Sequence, residues 1–419
     1  MIRVCDAIMG TGKTSAAITY INEHPEKRFV FITPYLNEAT RIRTSCPNAH
    51  FVEPSANIGK FGYSKVKHTA ALIQNGRNIA TTHQAFRNYS AGMMEDITFN
   101  NYTLVVDENV DVLESVSVGR GDMASFIESG RLVEKGGAYY IGDREYEGGK
   151  YDSMFEALGS RALIRADMKS GKGSRASESF FYWMLSPELI SAFNEVIVLT
   201  YMFEGQSLCH MMKLNGLPYE YIGVERTADG GYRFGETGGY IPDYVQTLSS
   251  RIHILGNRRM NSIGEMRTAL SMNWYKDGGR LEELRTDLYN YFNGVCRECP
   301  AGQRMCASFV SFAGRIKGKG YTKSIVPFNL RATNDYRDKT CLAYPVNVFM
   351  NASAKVYFYE HGVEVDEDAY ALSTMVQWIW RSAIREGGEI DVYIPSLRMR
   401  TLLKDWIDTV SKGAAYGAA

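Results

Sequence analysis

The chain opens with the stretch that decides its fold, Met1-Ile-Arg-Val-Cys-Asp-Ala-Ile-Met-Gly-Thr-Gly-Lys-Thr-Ser-Ala-Ala-Ile18. The apolar residues before Asp6 predict a short strand, and the segment that begins at Lys13 predicts a helix. Between them, Gly10 and Gly12 allow the backbone to curl around phosphate oxygens without a Cβ clash. Since backbone N–H groups at a helix N-terminus bind phosphate, the stretch Ala7–Thr14 predicts a nucleotide-binding loop.

The loop matches the pattern G-x-x-x-x-G-K-[ST], with Ala7 in place of the first glycine. In this pattern the lysine reaches the terminal phosphates, and the hydroxyl of the next residue binds Mg²⁺. The sequence therefore predicts ATP and Mg²⁺ as cofactors, bound by Gly10, Thr11, Gly12, Lys13 and Thr14. A glycine-rich turn with a surface lysine is the alternative, and it leaves the strand-loop-helix order unexplained.

Four further segments predict buried strands, because each is a nearly continuous apolar run. They are residues 29–35, 78–83, 102–108 and 195–201. Such runs, interleaved with helical stretches, indicate a parallel sheet covered on both faces. Each run ends in polar residues, and ligands of parallel α/β sheets bind at the carboxyl ends of the strands.

The third of these runs ends in two acids, Asp107 and Glu108. Adjacent carboxylates after a buried strand are costly unless a metal or a water uses them. We expect Asp107 to bind Mg²⁺ opposite Thr14, and Glu108 to orient and deprotonate the water that attacks the γ-phosphate. An exposed turn at a strand end is the alternative.

These segments, in this order, resemble the motifs of superfamily-2 (DEAD/DEAH-like) helicases and translocases. The likeness is carried by Met9–Thr14 (motif I), Ile32–Pro34 (motif Ia), Ala80–His83 (motif Ib/Ic), Val106–Val110 (motif II) and Leu199–Tyr201 (motif III). It implies an α/β fold with two RecA-like parallel-sheet P-loop domains in tandem and a nucleotide cleft between them. Residues 329–396 also look like a group of phage-encoded helicases.

The resemblance implies a first RecA-like, ATP-binding domain over residues 1–205 and a second, helicase C-terminal domain over residues 206–405. Residues 406–419 are expected to form a tail. Within the first domain, residues 115–185 are rich in glycine, serine and charge and predict an irregular insertion.

Residues 376–385 resemble motif VI, with the spacing Q-x-x-W-R-x-x-x-R instead of Q-x-x-G-R-x-x-R. On a helix, Gln377, Arg381 and Arg385 would share one face, because they are spaced at i, i+4 and i+8. Taken alone, such a face is more often solvated surface. In the family this motif supplies arginine fingers, so the resemblance implies a catalytic role for all three residues.

The resemblance also implies a nucleic-acid partner, most simply single-stranded DNA, with RNA possible. The strand-end threonines Thr33, Thr81 and Thr82 would contact the phosphodiester backbone. Residues 326–336 resemble motif V, whose polar centre is Arg331, Thr333 and Asn334. Residues 314–323 add a basic, glycine-rich turn that could contact phosphates.

Composition sets the remaining limits on function. The chain has 419 residues, 47 basic and 47 acidic side chains, and no apolar run long enough to span a membrane. Seven scattered cysteines favour reduced thiols in a cytoplasm. Cys296, Cys299 and Cys306 have half the spacing of a metal site, but a core role for Cys306 is the simpler interpretation.

Two other functions compete with a helicase or translocase that serves phage replication or recombination. A terminase-type DNA-packaging ATPase shares the loop and the acid pair but carries a nuclease with clustered carboxylates, of which only residues 364–368 offer a trace. A P-loop small-molecule kinase would not need the motif-VI segment.

Overall fold

The computed structural model divides into two compact units. The first contains residues 1–7, 12–239 and 351–365, and the second contains residues 8–11, 240–350 and 366–419. The structure describes every residue except 58–63, 117, 136–137, 145, 147–148, 152–153, 156–157, 159–160, 170–176, 238, 331–334 and 414–419. The first unit thus extends beyond the expected boundary at residue 205, because two later strands join its sheet.

The described strands, in chain order, are β1 (Ile2–Asp6), β2 (Arg28–Thr33), β3 (Ile79–Thr82), β4 (Tyr102–Asp107), β5 (Leu113–Val116), β6 (Leu132–Lys135), β7 (Ala138–Ile141), β8 (Arg161–Lys169), β9 (Ser177–Leu185), β10 (Glu195–Thr200), β11 (Glu220–Arg226), β12 (Tyr232–Gly235), β13 (Ile252–Leu255), β14 (Arg304–Ser308), β15 (Ile325–Pro327), β16 (Cys341–Ala343) and β17 (Ile390–Tyr393).

The described α-helices are α1 (Lys13–Glu23), α2 (Leu36–Ser45), α3 (Lys65–Gln74), α4 (His83–Phe86), α5 (Ala91–Phe99), α6 (Arg120–Glu128), α7 (Pro187–Ser191), α8 (Ser207–Leu214), α9 (Leu248–Arg251), α10 (Arg258–Asn261), α11 (Gly278–Asn290), α12 (Ala352–Glu360), α13 (Glu367–Ile379) and α14 (Leu397–Ser411). Within this set, none is long and apolar enough to cross a membrane.

The main sheet of the first unit has the strand order β12-β11-β1-β10-β4-β2-β3. All neighbours are parallel except β11 and β12, which form an antiparallel hairpin at one edge. The four strands expected from apolar runs are confirmed as β2, β3, β4 and β10. Because β10 lies between β1 and β4, the phosphate loop and the acid pair emerge from strands that share one neighbour.

Apolar burial holds this sheet to its helices. Phe29 and Phe31 of β2, Val105 of β4 and Ile197 of β10 are fully buried in a core that also contains Ile21 of α1. Each side chain of this size contributes roughly 1.5–3 kcal/mol when removed from water. Successive side chains of a central strand point to opposite faces of the sheet, and both faces are covered by helices. These runs are therefore apolar at consecutive positions.

The segment expected to be an irregular insertion is instead a second, antiparallel sheet of the first unit. Its strand order is β5-β9-β8-β7-β6. One of its cores is aromatic, with Phe126, Tyr151, Phe155 and Trp183 buried together. Helix α12 packs against β8, and Tyr182 on β9 donates a hydrogen bond to Asn351, the residue before α12, at 2.8 Å.

The second unit contains a parallel sheet with the order β13-β17-β16-β14-β15. Helix α14 runs to Ser411 and buries Trp406 and Ile407, so an ordered helix occupies the start of the expected tail at 406–419. The α/β class with two parallel-sheet units is therefore confirmed.

Candidate nucleotide site

The loop between β1 and α1 has the backbone shape that an anion site needs. Gly10 and Gly12 have φ angles of 88° and 85°, in the left-handed region that favours glycine. Gly12 is the N-cap of α1, and no described side chain caps this helix. The first amides of α1 are therefore left for a ligand, and the helix dipole favours a negative one.

Lys13 lies over this loop as a buried cation. Its ammonium group donates a hydrogen bond to the carbonyl oxygen of Ala7. Burial lowers the pKa of Lys13, and the nearby charges of Cys5, Glu108 and Asp6 oppose that shift. An anionic ligand at the loop would favour the protonated form in the same way.

Asp107 and Thr14 meet at the carboxyl edge of the sheet. The Thr14 hydroxyl donates a hydrogen bond to Oδ1 of Asp107 at 3.1 Å. Burial and the neighbouring charge of Glu108 raise the pKa of Asp107 to about 7, and the Thr14 hydrogen bond counteracts this shift. A hydroxyl beside two carboxylates is an oxygen-rich site suited to a divalent cation.

Glu108 occupies a backbone conformation that is rare for its residue type. Its φ angle is 68°, which costs a non-glycine residue about 1–2 kcal/mol. The Glu108 amide donates a hydrogen bond to the carbonyl oxygen of Leu199 at 2.9 Å, which fixes the turn after β4 against β10. Glu108 is only partly buried, and its charge acts on both Lys13 and Asp107.

Two polar side chains support the site and were not assigned to it from the sequence, the partly buried Asp6 and the buried His83. The carboxylate of Asp6 accepts hydrogen bonds from the backbone amides of Met202 and Phe203, at 2.7 and 2.8 Å. The imidazole Nε2 of His83 lies 2.9 Å from the carbonyl oxygen of Asp107. These contacts connect the end of β1 to the segment after β10, and the end of β3 to the end of β4.

The segment after β10, where motif III was expected, is held by a side-chain pair. The side-chain amide nitrogen of Gln206 donates a hydrogen bond to the hydroxyl of Thr200 at 2.6 Å. The same nitrogen donates to the carbonyl oxygen of Tyr201 at 2.9 Å. Both side chains are buried. This turn therefore has one fixed shape next to the acid pair.

The strand-end threonines expected to contact nucleic acid differ in position. Thr33 and Thr81 are fully buried, and the Thr33 hydroxyl donates to the carbonyl oxygen of Tyr35 at 3.2 Å. Thr82 is partly exposed and caps α4 by accepting a hydrogen bond from the amide of Ala85. Nucleic-acid contact by these threonines stays a prediction, with Thr33 and Thr81 enclosed and Thr82 partly exposed.

The motif-VI residues do not share a helical face, which corrects the expectation from their spacing. Helix α13 ends at Ile379, so only Gln377 lies on it, and its amide donates to the hydroxyl of Ser373. Arg381 follows the helix end and is 6 % exposed, whereas Arg385 lies in a 3₁₀ turn and is partly exposed. The chain leaves the helix because the amide of Ala383 donates to the carbonyl oxygen of Lys339.

Two further predictions concern the motif-V residues and the cysteines. Arg331, Thr333 and Asn334 lie outside the described residues, so their roles stay predictions. Cys306 is buried in β14, as expected for a core thiol. Within the described part of the chain, no three metal-ligating side chains of the His, Cys, Asp or Glu type cluster together.

The replacement Gly12→Ala should weaken ATP binding by about tenfold or more, since the left-handed conformation costs alanine about 1–2 kcal/mol. A Cβ built on Gly12 would also lie 2.4 Å from Cδ1 of Tyr232, so the aromatic ring would have to move. Titration calorimetry with ATP measures the effect. Gly92→Ala, in α5 with no atom within 4 Å of the new methyl group, is the matched control and should bind ATP normally. Equal affinities for the two variants would contradict the assigned loop geometry.

Comparison with known proteins gives a family. The protein-family model of the YonV C-terminal Rossmann-like domain matches residues 246–407 of this chain. The SPbeta prophage-derived uncharacterized protein YonV of Bacillus subtilis (strain 168) is 33 % identical over 418 residues, which cover 97 % of this chain and 98 % of that protein. A solved structure, that of a DEAD box protein from the hyperthermophile Methanococcus jannaschii, aligns with a TM-score of 0.27 and 9 % sequence identity. The alignment covers 98 % of this chain and 86 % of that protein chain, and the likeness is too weak to indicate a shared activity. The chain belongs to the YonV family.

Proposed function

We propose that this YonV family member is a Mg²⁺-dependent ATPase of the superfamily-2 helicase and translocase type, which couples ATP hydrolysis to movement along or unwinding of DNA. The relative in a prophage points to phage replication or recombination as its setting. The observation that carries the proposal is the convergence of Lys13, Thr14 and the acid pair Asp107–Glu108 at one edge of a parallel sheet.

The loop and Lys13 bind the triphosphate in this proposal. The amides that follow Gly12 donate hydrogen bonds to phosphate oxygens, and the Lys13 ammonium contacts the terminal phosphates. Because burial lowers the pKa of Lys13, a bound polyanion and the protonated lysine stabilise each other. The contact between Lys13 and the Ala7 carbonyl holds the ammonium in place before the nucleotide arrives.

The Thr14 hydroxyl and the Asp107 carboxylate would hold Mg²⁺, which supplies positive charge to the phosphate oxygens. The fit rests on charge as well as on ligand type. Burial and the charge of Glu108 raise the pKa of Asp107, and the Thr14 hydrogen bond and the charge of Arg41 only partly oppose this shift. A divalent ion would lower that pKa again and favour the ionised ligand.

Glu108 is the proposed general base. It orients the attacking water and accepts its proton as the bond to the γ-phosphate is broken. The strained backbone at Glu108 is consistent with such a role, because strain of this kind concentrates at functional sites. The turn that holds it is hydrogen-bonded to Leu199 on β10, so the end of β10 and the base are expected to move together.

Gln377, Arg381 and Arg385 of the second unit are proposed to take part in ATP hydrolysis. Their support is the resemblance to motif VI, which residues 376–385 carry. The arginine charge would stabilise the phosphate oxygens as the transition state forms.

The proposed DNA contacts use phosphates more than bases. In the second unit, the nine-residue segment 315–323 after β14 contains four exposed cations, Arg315, Lys317, Lys319 and Lys323. Arg331, Thr333 and Asn334 are also proposed to contact phosphates, as is Thr82 of the first unit. Contacts of this kind fix the strand without reading its sequence, which accommodates a chain with no net charge.

The proposal predicts that single-stranded DNA raises the rate of ATP hydrolysis, and that salt weakens this stimulation. Phosphate release is measured with DNA, with RNA of the same sequence and with no nucleic acid. Equal stimulation by RNA would broaden the partner, and no stimulation by either polymer would favour a P-loop kinase and contradict the proposal.

The double replacement of Arg315 and Lys317 by glutamine should raise the DNA concentration needed for half-maximal stimulation. Loss of two phosphate contacts should also reduce the salt dependence of binding by about two units of slope. The matched control removes two exposed lysines from helix α14 and its end, Lys404 and Lys412. An equal effect in both double variants would show that overall charge, and not the turn, determines DNA affinity.

A further inference from the structure

The β11–β12 hairpin lies beside the phosphate loop. Strand β11 pairs in parallel with β1, with Cys5 opposite Ile222, one residue before β1 ends. It continues for four more residues, to Arg226, and pairs there with β12. At about 3.3 Å per residue, the hairpin therefore extends roughly 10 Å past the end of β1, to the level of the loop.

One face of this hairpin is directed at α1. Val224 lies opposite Phe234 and is buried in the core that holds α1, and Arg226 lies opposite Tyr232 two residues further along the same face. The intervening Arg233 is exposed and pairs with Glu225 at 2.8 Å on the other face. Tyr232 and Arg226 are thus the residues of the α1-directed face that lie at the far end of the hairpin.

Tyr232 contacts the loop itself. A Cβ on Gly12 would lie 2.4, 2.6 and 2.7 Å from Cδ1, Cγ and Cε1 of the Tyr232 ring, so the ring lies flat against the Cα of Gly12. The ring is only partly buried. Phe234 is likewise partly buried, and both rings pack against the core that holds α1. Phe234 also contacts Tyr20 of α1, with the ring centroids 5.9 Å apart.

A partly exposed aromatic ring at this position has a specific chemical use. If the amides after Gly12 bind the phosphates, the ribose and base of the nucleotide lie beside the elements that flank the loop. An aromatic ring stacks on any base, because every base has a π-face, and such stacking is sequence-tolerant. Arg226 lies directly opposite Tyr232 on the hairpin and adds positive charge beside the ring.

We propose that Tyr232 is the stacking platform for the base of a purine nucleoside triphosphate bound at the phosphate loop. This inference rests on the proposed ATPase function and adds the residue that recognises the nucleoside part of the substrate. A ring face offers no hydrogen bonds to a base edge, so ATP and GTP bind with affinities within a few-fold of each other.

Calorimetric titration with ATP and with inorganic tripolyphosphate tests the platform in the full-length protein. Tyr232→Leu should weaken ATP binding by about tenfold, which is within the range for loss of one base–aromatic stack, and leave tripolyphosphate binding unchanged. Tyr232→Phe retains the ring face and should bind ATP as the unmodified protein does. Phe234→Leu, on the same face but against Tyr20, is the matched control for the loss of an aromatic side chain from β12.

The outcomes separate this inference from the proposed function. If Tyr232→Leu weakens ATP and tripolyphosphate equally, the ring only supports the loop, and the platform is refuted. If Tyr232→Leu and Phe234→Leu weaken ATP equally, packing of β12 explains the loss, and the platform is again refuted. If the unmodified protein binds neither ligand, it is the proposed ATPase function that fails. Thermal unfolding of each variant verifies that the compared proteins are folded.

Discussion

Glu108→Gln should reduce ATP turnover by about 10²- to 10⁴-fold while leaving ATP bound, as expected for loss of a general base. The phosphate contacts come from the loop and from Lys13. This change removes one of the charges that raise the pKa of Lys13, and the negative charge of bound ATP acts on Lys13 in the same direction. Removal of the Glu108 charge also removes one cause of the raised pKa of Asp107, so Mg²⁺ affinity should not fall. Single-turnover hydrolysis gives the rate, and the amount of ATP retained through gel filtration gives the bound state.

The control for this prediction is Glu23→Gln, which removes an exposed carboxylate from α1. It should turn over ATP at the normal rate. Full activity in Glu108→Gln would remove Glu108 from the mechanism. Loss of ATP binding together with loss of turnover would instead assign Glu108 to metal or nucleotide binding.

Much of the first unit could be predicted because its central strands carry their own signal. Strands buried on both faces are apolar at consecutive positions, so β2, β4 and β10 stand out in the sequence. The sheet of residues 113–185 was missed because its glycines and charges suggested a loop. Its buried side chains, such as Leu163 and Trp183, pack on an aromatic core that only the folded chain assembles.

Some residues of the candidate site could be predicted from the local sequence, whereas others depend on contacts with distant parts of the chain. Lys13 and Thr14 belong to one local motif, and Asp107 closes an apolar run, so all three could be predicted. Asp6 is different, because its hydrogen-bond partner Met202 is 196 residues away. His83 had a weak signal, since it closes one of the predicted strands, but its contact with the Asp107 carbonyl could not be read from spacing.

The motif-VI segment shows where periodicity misleads. Residues 376–385 contain no glycine or proline, and the i, i+4, i+8 spacing therefore predicted a continued helix. The amide of Arg381 donates to the carbonyl oxygen of Trp378, three residues earlier, and the amide of Ala383 donates to the distant Lys339. A tertiary hydrogen bond thus replaces a helical one, and local propensity does not determine where the helix ends.

Arg381→Lys should reduce the rate of ATP hydrolysis by about 10³- to 10⁵-fold, the range for loss of an arginine finger, with ATP affinity nearly unchanged. Arg381 keeps the family's spacing from Gln377, whereas the 3₁₀ turn places Arg385 one residue later than the family pattern. Lysine retains the positive charge but not the planar fork of donors, so the change tests the geometry of the contact. Rapid-quench measurement of one turnover separates hydrolysis from product release.

Arg385→Lys is the matched comparison, because it makes the same chemical change four residues away. We expect it to lower the hydrolysis rate less than Arg381→Lys does, since Arg385 lies in a turn beside exposed Glu386 and Arg381 is buried at the end of α13. A larger loss in Arg385→Lys would reassign the finger, and normal rates in both variants would refute the contribution of this segment to catalysis. Equal losses with lowered thermal stability would indicate a structural role, because a finger acts on the rate and leaves the unfolding temperature nearly unchanged.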